Sequence, residues 1–414
     1  MARIDPLFDP AVVEEPHEYY AHLRASDPVH ELPGTGTFLV TRMDLIHEVV
    51  AKPTVFSSVS TDFLHHRANN GAPGLQSAFP DVGTDVVPTP VLAAADPPDH
   101  TRQRKVISRC LSAAAMQAME PEFRALVDAA LDAALPSGRI EWMSEVAEPL
   151  PMIMVARVLG LPDDQAPRLK EQGYASVEMI GGFVSKERLA ELGAPLMDVG
   201  PVVDAYLEAR ASERCDSGTL IGVCAQATAA GELTDEEAFG MLFLLVSAGG
   251  ESTTSLTGTG VRILAEHPDL QEQLRRKPEL IPVFVEEACR IDPPFRGHYR
   301  HVVTDTELGG ITVPAGSTVV LAWPAANRDS AAFPNADDID LERANPRKHV
   351  GFGWGIHLCV GAPLARVEAK VAFEQLLART KSFTVDSASE PLRHHQSLMI
   401  RRLVALPLAL EARA

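Results

Sequence analysis

Apolar residues fall into several long stretches of helical spacing, set apart by shorter alternating or Gly/Pro-punctuated ones. From Thr37 to Thr41, β-branched and aromatic residues predict a strand, and Asp44 opens a helical stretch through Val50. Thr61 to Pro98 carries repeated Gly, Pro and Asn with little periodicity, which predicts a long irregular connection, often a functional one. After Asp99 the spacing turns helical over Thr101–Leu111, Met116–Leu135 and Pro151–Leu159, the last closed by Gly160 and Pro162. Thr234 and Glu237 form a capping-box pair ahead of Ala238, Met241, Leu242, Leu245 and Val246, predicting one helix to about His267. Another helix is predicted over Leu280–Ile291, halted by Pro293 and Pro294. Short strands follow at Ile311–Val313 and Thr318–Leu321, and a last amphipathic helix covers Leu364–Thr380.

The length, 414 residues, would by itself suggest two or three domains. No internal repeat, linker or low-complexity segment divides the chain, so a single mainly α domain over residues 1–414 with a small β part is the simplest account. A formal net charge of −19 argues against nucleic acid as a partner, because phosphate binding needs a basic face. Cys110, Cys215, Cys224, Cys289 and Cys359 are scattered, odd in number and free of CxxC pairs, which suggests neither a disulfide framework nor a zinc site but a reducing cytoplasm. Met1–Pro10 has no apolar signal region, and the most apolar run, Phe239–Gly250, falls short of the ~20 residues of a membrane span. A cytoplasmic protein with no membrane partner is expected.

One cysteine stands in a chemically pointed place. In Phe352-Gly353-Trp354-Gly355-Ile356-His357-Leu358-Cys359-Val360-Gly361, Cys359 follows a glycine-punctuated turn and precedes a predicted helix. Gly353 and Gly355 open backbone angles closed to other residues, and the free N–H groups of a helix N-terminus favour thiolate over thiol. The stretch is similar to the haem-binding loop of cytochromes P450, F-G-x-G-x-H-x-C-x-G, and matches it at every defined position. The resemblance implies haem b ligated by Cys359, with Phe352, Gly353 and Gly361 shaping the loop. A thiolate on haem iron pushes electron density that favours O–O cleavage.

Further motifs resemble the same family. Glu287-Ala288-Cys289-Arg290 lies on a predicted helix, where positions three apart share a face. With Ile339-Asp340-Leu341-Glu342-Arg343, similar to the family's F-D-x-x-R, it implies a buried Glu287–Arg290–Arg343 cluster bracing the haem loop. His100 and Arg104, four apart on one helix face, resemble H-x-x-x-R and suit haem propionates, since Arg offers a planar charged fork. The resemblance adds Arg300 and His357. Ala248-Gly249-Gly250-Glu251-Ser252-Thr253 interrupts an apolar helix with two glycines, at a cost of ~1 kcal/mol each. It resembles A-G-x-[DE]-T-T, which implies room for dioxygen beside Ala248 and Gly249 and proton delivery by Glu251, Ser252 and Thr253. Ser252 departs from the usual Thr.

Resemblance extends over nearly the whole chain, including Leu159-Gly160-Leu161-Pro162 and Ala326-Asn327-Arg328-Asp329. It implies a helical prism with a smaller β-rich lobe, and a monooxygenase inserting one atom of O2 into a lipophilic small molecule. Electrons would come from a 2Fe-2S or 3Fe-4S ferredoxin and its NAD(P)H-dependent reductase. Arg102, Lys105, Arg109, Arg347, Lys348, Arg366 and Lys370 are expected to form a basic patch for it. Substrate contacts are expected from Phe63–Leu92, Tyr174–Phe183, Leu245–Gly249, Phe295–His298 and Leu398–Met399. A peroxide-driven relative would carry Arg-Pro where this chain has Gly250-Glu251, and a non-catalytic haem-binding protein could dispense with the acid and hydroxyl.

Overall fold

The computed structural model describes residues 4–59, 62–65, 73–77, 89–212 and 218–413. Cys215, and residues 61, 66–72 and 78–88 of the predicted connection, lie outside them.

Helices carry most of the chain. Those that build the site are α1 (Met43–Val50), α2 (Asp99–Ile107), α3 (Glu120–Ala134), α4 (Pro149–Leu159), α5 (Ala166–Met179), α6 (Asp235–Gly249), α7 (Glu251–Glu266), α8 (Ile281–Ile291) and α9 (Ala362–Arg379). Apolar residues at helical spacing face inward: Val127 and Leu131 of α3, Val261 and Leu264 of α7, Phe284 of α8 and Phe373 and Leu376 of α9 share one core. A second core packs Ala238, Met241, Leu242 and Val246 of α6 against Val155 and Leu159 of α4 and Leu169 of α5. Gly160 ends α4 at φ +94°, in the left-handed conformation that lets a chain leave a helix without a Cβ clash.

The β lobe is a five-stranded sheet. Its strands are β1 (Val29–Leu32), β2 (Thr37–Val40), β3 (Phe56–Ser57), β4 (Gly297–Val302) and β5 (Thr318–Ala322), in spatial order β1-β2-β5-β4-β3. Only β2 and β5 run parallel, with Thr37 opposite Thr318. A three-stranded sheet of Arg139–Glu141, Thr380–Val385 and Pro407–Ala412 follows α9, the last strand in the middle.

Two predicted helices are divided. The Met116–Leu135 stretch splits at Met119 into Ala113–Ala118 and α3, because Pro121 fits only the first turn of a new helix. The long helix from Thr234 breaks at Gly250, where α6 ends and α7 begins. Within the predicted irregular connection, Asp62–His65 and Gly74–Ser77 pair as an antiparallel hairpin. Among the described residues no helix is long and apolar enough to cross a membrane.

Candidate functional site

The cysteine loop is fixed by its own backbone. Gly353 and Gly355 take φ +72° and +68°, as the sequence required. The Cys359 N–H donates to the Phe352 carbonyl at 2.8 Å. Cys359 is accessible at its surface yet surrounded by protein at a distance, so it lines an interior hollow. Burial pushes its thiol up, while the amides of Gly361 and Ala362 and the charges of Arg104 and Arg366 pull toward thiolate.

Behind the loop, the expected brace is present. The Glu287 carboxylate accepts from Arg290 at 2.8 and 2.9 Å and from Arg343 at 2.9 Å, and the Glu287 and Arg290 side chains are 0% exposed. Arg290 also donates to the carbonyls of Asn327, Ala336 and Asp338 at 3.0, 2.5 and 2.7 Å. Asn327 in turn accepts the Val350 N–H, two residues before Phe352, at 2.8 Å. Where Ile339 replaces an aromatic residue, Phe333 supplies the ring, 5.3 and 5.7 Å from the Arg290 and Arg343 guanidinium carbons.

His100, Arg104, Arg300 and His357 are brought together from three segments: α2, β4 and the cysteine loop. The His100 and His357 rings lie 4.2 Å apart, and His357 Nε2 meets Ser58 Oγ at 2.9 Å. Burial, then Arg300 and His100, holds His357 neutral with a pKa of about 3. Burial also brings Arg300 down to about 10, Asp96 opposing. Among the described residues neither Arg104 nor Arg300 has a carboxylate in ion-pair contact, and the buried His100 Nδ1 has no hydrogen-bond partner. Two unmatched guanidinium groups and an orphan imidazole nitrogen, half-buried or deeper, are a costly set unless anions join them. The two propionates of haem b are that complement, so the residues present fit the cofactor.

The break between α6 and α7 differs in its cause from the sequence expectation. A Cβ on Gly250 would stand 1.8 Å from Met152 Sδ, and one on Gly249 2.8 Å from Val155 Cγ2. Both glycines therefore face α4 and permit close helix packing, rather than clearing space for dioxygen. The accessible position is Ala248, on a turn whose neighbours Val246 and Ser247 are buried. Ser252 Oγ donates to the Ala248 carbonyl at 2.9 Å, and Thr253 turns away to the buried Glu368 of α9. Glu251 is buried and accepts from Arg402 at 2.8 Å, with Arg402 shared by Glu148 at 2.9 Å. Burial pushes Glu251 up to about 7; Arg402 opposes this and Glu148 and Glu178 add to it. Tyr174 donates to Thr254 at 2.9 Å, and its ring covers Arg402 at 4.9 Å.

Arg402 and Glu368 were missed by sequence reasoning, and Ser58, at the end of the family-like Thr54–Ser58 segment, was given no role; each meets its partner across more than a hundred residues of chain. The expected substrate segments converge in part: Leu398 N–H donates to the Gly181 carbonyl at 2.7 Å, and Phe63 packs edge-on against Tyr299 at 5.1 Å. Most of the expected basic patch is paired with acids. Arg102 pairs with Glu237, Arg109 with Glu232, Lys370 with Glu120, and Arg347 and Arg366 with Glu286. Lys105 and Lys348 keep no ion pair among the described residues.

A helical prism with a β lobe, an accessible cysteine at a helix N-terminus and an unmatched cation set define a haem-thiolate protein, and the chain belongs to the cytochrome P450 family. That family's model, described as Cytochrome P450, matches residues 216–406. Over 98% of this chain and 91% of its relative, it is 38% identical to cytochrome P450 144 of Mycobacterium tuberculosis. It is 31% identical to the vitamin D(3) 25-hydroxylase of Pseudonocardia autotrophica, over 99% and 97% of the two chains. CYP109E1 of Bacillus megaterium, solved in complex with testosterone, superposes with a TM-score of 0.80 at 28% identity, covering 97% of this chain and 99% of that one. The protein is thus a mainly α, haem b-binding monooxygenase that uses O2.

Proposed function

We propose that Cys359 is the axial ligand of haem b and that His100, Arg104, Arg300 and His357 hold its propionates, with Phe352, Gly353, Gly361 and Ala248 around the ring. The observation that carries this reading is the accessible Cys359 sulfur within reach of the Arg104 charge, beside a set of buried cations with no anions of their own. The cofactor supplies the oxygen-activating chemistry; the chain supplies orientation, a dry chamber and protons.

Glu251, with a pKa of about 7, can both take and give a proton near neutrality. Its second oxygen, Oε2, is buried and has no hydrogen-bond partner among the described residues. Ser252 keeps the hydroxyl of the family's usual Thr and parks it on the Ala248 carbonyl, one rotamer from a neighbour's proton. The proposed path runs from solvent at Glu148, whose carboxylate accepts from Lys170 Nζ at 2.5 Å, through the Arg402-held Glu251, to Ser252. Thr253, bonded to Glu368, is a brace between α7 and α9 and stands outside this path.

The substrate is a lipophilic small molecule, a class supported by the vitamin D(3) and the testosterone in the names of two of the proteins above. Phe63, Leu245, Phe295 and Leu398 would contact it. Electrons would come from a 2Fe-2S or 3Fe-4S ferredoxin and its NAD(P)H-dependent reductase, met in the cytoplasm by a single-domain protein whose steering charges are Lys105 and Lys348. The decisive test is spectral. Reduced protein under CO should show the red-shifted Soret band of a thiolate-ligated haem, and Cys359→His should abolish it while retaining haem. Persistence of the band in that variant would remove Cys359 from its role.

A further inference from the structure

Glu286 stands next to the bracing Glu287 but serves a separate cluster. Its buried carboxylate accepts from Arg366 Nε and Nη2 at 2.7 and 3.1 Å, from His349 Nε2 at 3.0 Å and from Arg347 Nε at 3.2 Å. With both oxygens engaged, Arg366 is held over Phe352: its guanidinium carbon lies 4.4 Å from the centre of the ring. Phe352 is also the residue whose carbonyl takes the Cys359 N–H at 2.8 Å. One loop residue therefore presents its ring to a pinned cation and its carbonyl to the sulfur-bearing residue. Arg366 sits on α9, seven positions after Cys359, and its side chain is 25% exposed, so water screens its charge incompletely.

We infer that Glu286 is a positioning residue that pins Arg366 against Phe352, so that a fixed positive charge beside the Cys359 sulfur raises the reduction potential of the bound haem. The inference rests on Cys359 being the axial ligand. Its physical basis is simple: one-electron reduction adds a negative charge at the iron and its ligands. A nearby fixed cation stabilises the reduced state more than the oxidised one, and charges around the sulfur are a recognised lever on potential. The pinning removes the entropy a long side chain would otherwise lose each time it came to rest there.

The measurement is the midpoint potential of substrate-free, haem-loaded protein, with the CO spectrum of each variant recorded beside it. Arg366→Gln should lower the potential, and Arg366→Lys, which keeps the charge without the guanidinium, should lie between it and wild type. If Arg366→Gln loads no haem, the lysine variant carries the test by lying below wild type. Glu286→Gln decides the positioning role by sign. It keeps the Arg366 charge but loosens it, so a positioning role predicts a fall, whereas a carboxylate acting only through its own negative charge predicts a rise. Arg347→Gln, on the same carboxylate but 74% exposed, should shift the potential less than Arg366→Gln. An unmoved potential in Arg366→Gln and Arg366→Lys with a normal CO band overturns this inference alone, and a rise in Glu286→Gln overturns the positioning role. A wild-type protein lacking the red-shifted band overturns the ligand assignment and this inference with it.

Discussion

Replacing Gly250 by alanine separates two explanations for the broken helix. The added Cβ would stand 1.8 Å from Met152 Sδ and 3.0 Å from its Cγ, and Met152, 1% exposed, has little room to retreat. Alanine's better helix propensity favours the variant by ~1 kcal/mol, while overfilling a packed core costs ~1–3 kcal/mol, leaving a net loss of ~0–2 kcal/mol. Met152→Ala alone opens a cavity at a cost of ~2–5 kcal/mol. In the double variant the alanine methyl enters that cavity, so the two losses should fall short of additivity by ~1–3 kcal/mol. The assay is urea unfolding of all four proteins followed by far-UV circular dichroism, read as a double-mutant cycle. Additivity within ~0.5 kcal/mol would refute the packing argument. A CO-binding rate slowed in Gly250→Ala and unrescued by Met152→Ala would instead return the glycine to the role of clearing space beside the haem.

Ser252→Ala should raise peroxide formed per NADPH and lower product yield, Ser252→Thr should keep or improve coupling, and Thr253→Ala should change it less than Ser252→Ala; wild-type coupling in Ser252→Ala would take Ser252 out of the proton path. Because burial raises Glu251 from 4.5 to about 7, its proton is lost only as the pH rises through about 7, and product per NADPH should fall over that range. Arg402 favours the ionised carboxylate, so Arg402→Gln should move the fall to higher pH; a flat profile, or a shift to lower pH, rejects the assignment. With Arg109 already matched by Glu232, Lys105→Gln with Lys348→Gln should slow reduction by a ferredoxin more than Arg109→Gln does, and more at low ionic strength than at high. Equal slowing at both salt concentrations would point to a folding defect.

The sequence was most legible where chemistry constrains consecutive residues. The turn around Gly353 and Gly355, the cap at Thr234 and the Gly160 stop are local, and each is where the pattern put it. The Glu287–Arg290 pair was visible too, being three residues apart on one helix, and Arg343 followed from a second motif. What stayed hidden is relational. Nothing near Glu251 announces Arg402, and nothing in an AGGEST stretch tells whether its glycines face a ligand or a neighbouring helix; only the position of Met152 answers that. The basic patch failed for the same reason, because counting lysines and arginines ignores the acids that fold back onto them.

The ion cluster around Glu287 carries a consequence for how the molecule comes to be made. Arg290 gathers carbonyls from Asn327, Ala336 and Asp338, and Asn327 then ties down Val350, so the cysteine loop hangs from contacts that span some sixty residues of chain. Such contacts are slow to close and yield nothing until nearly complete. All of these contacts are between protein groups, so the loop's shape depends on the completed fold behind it.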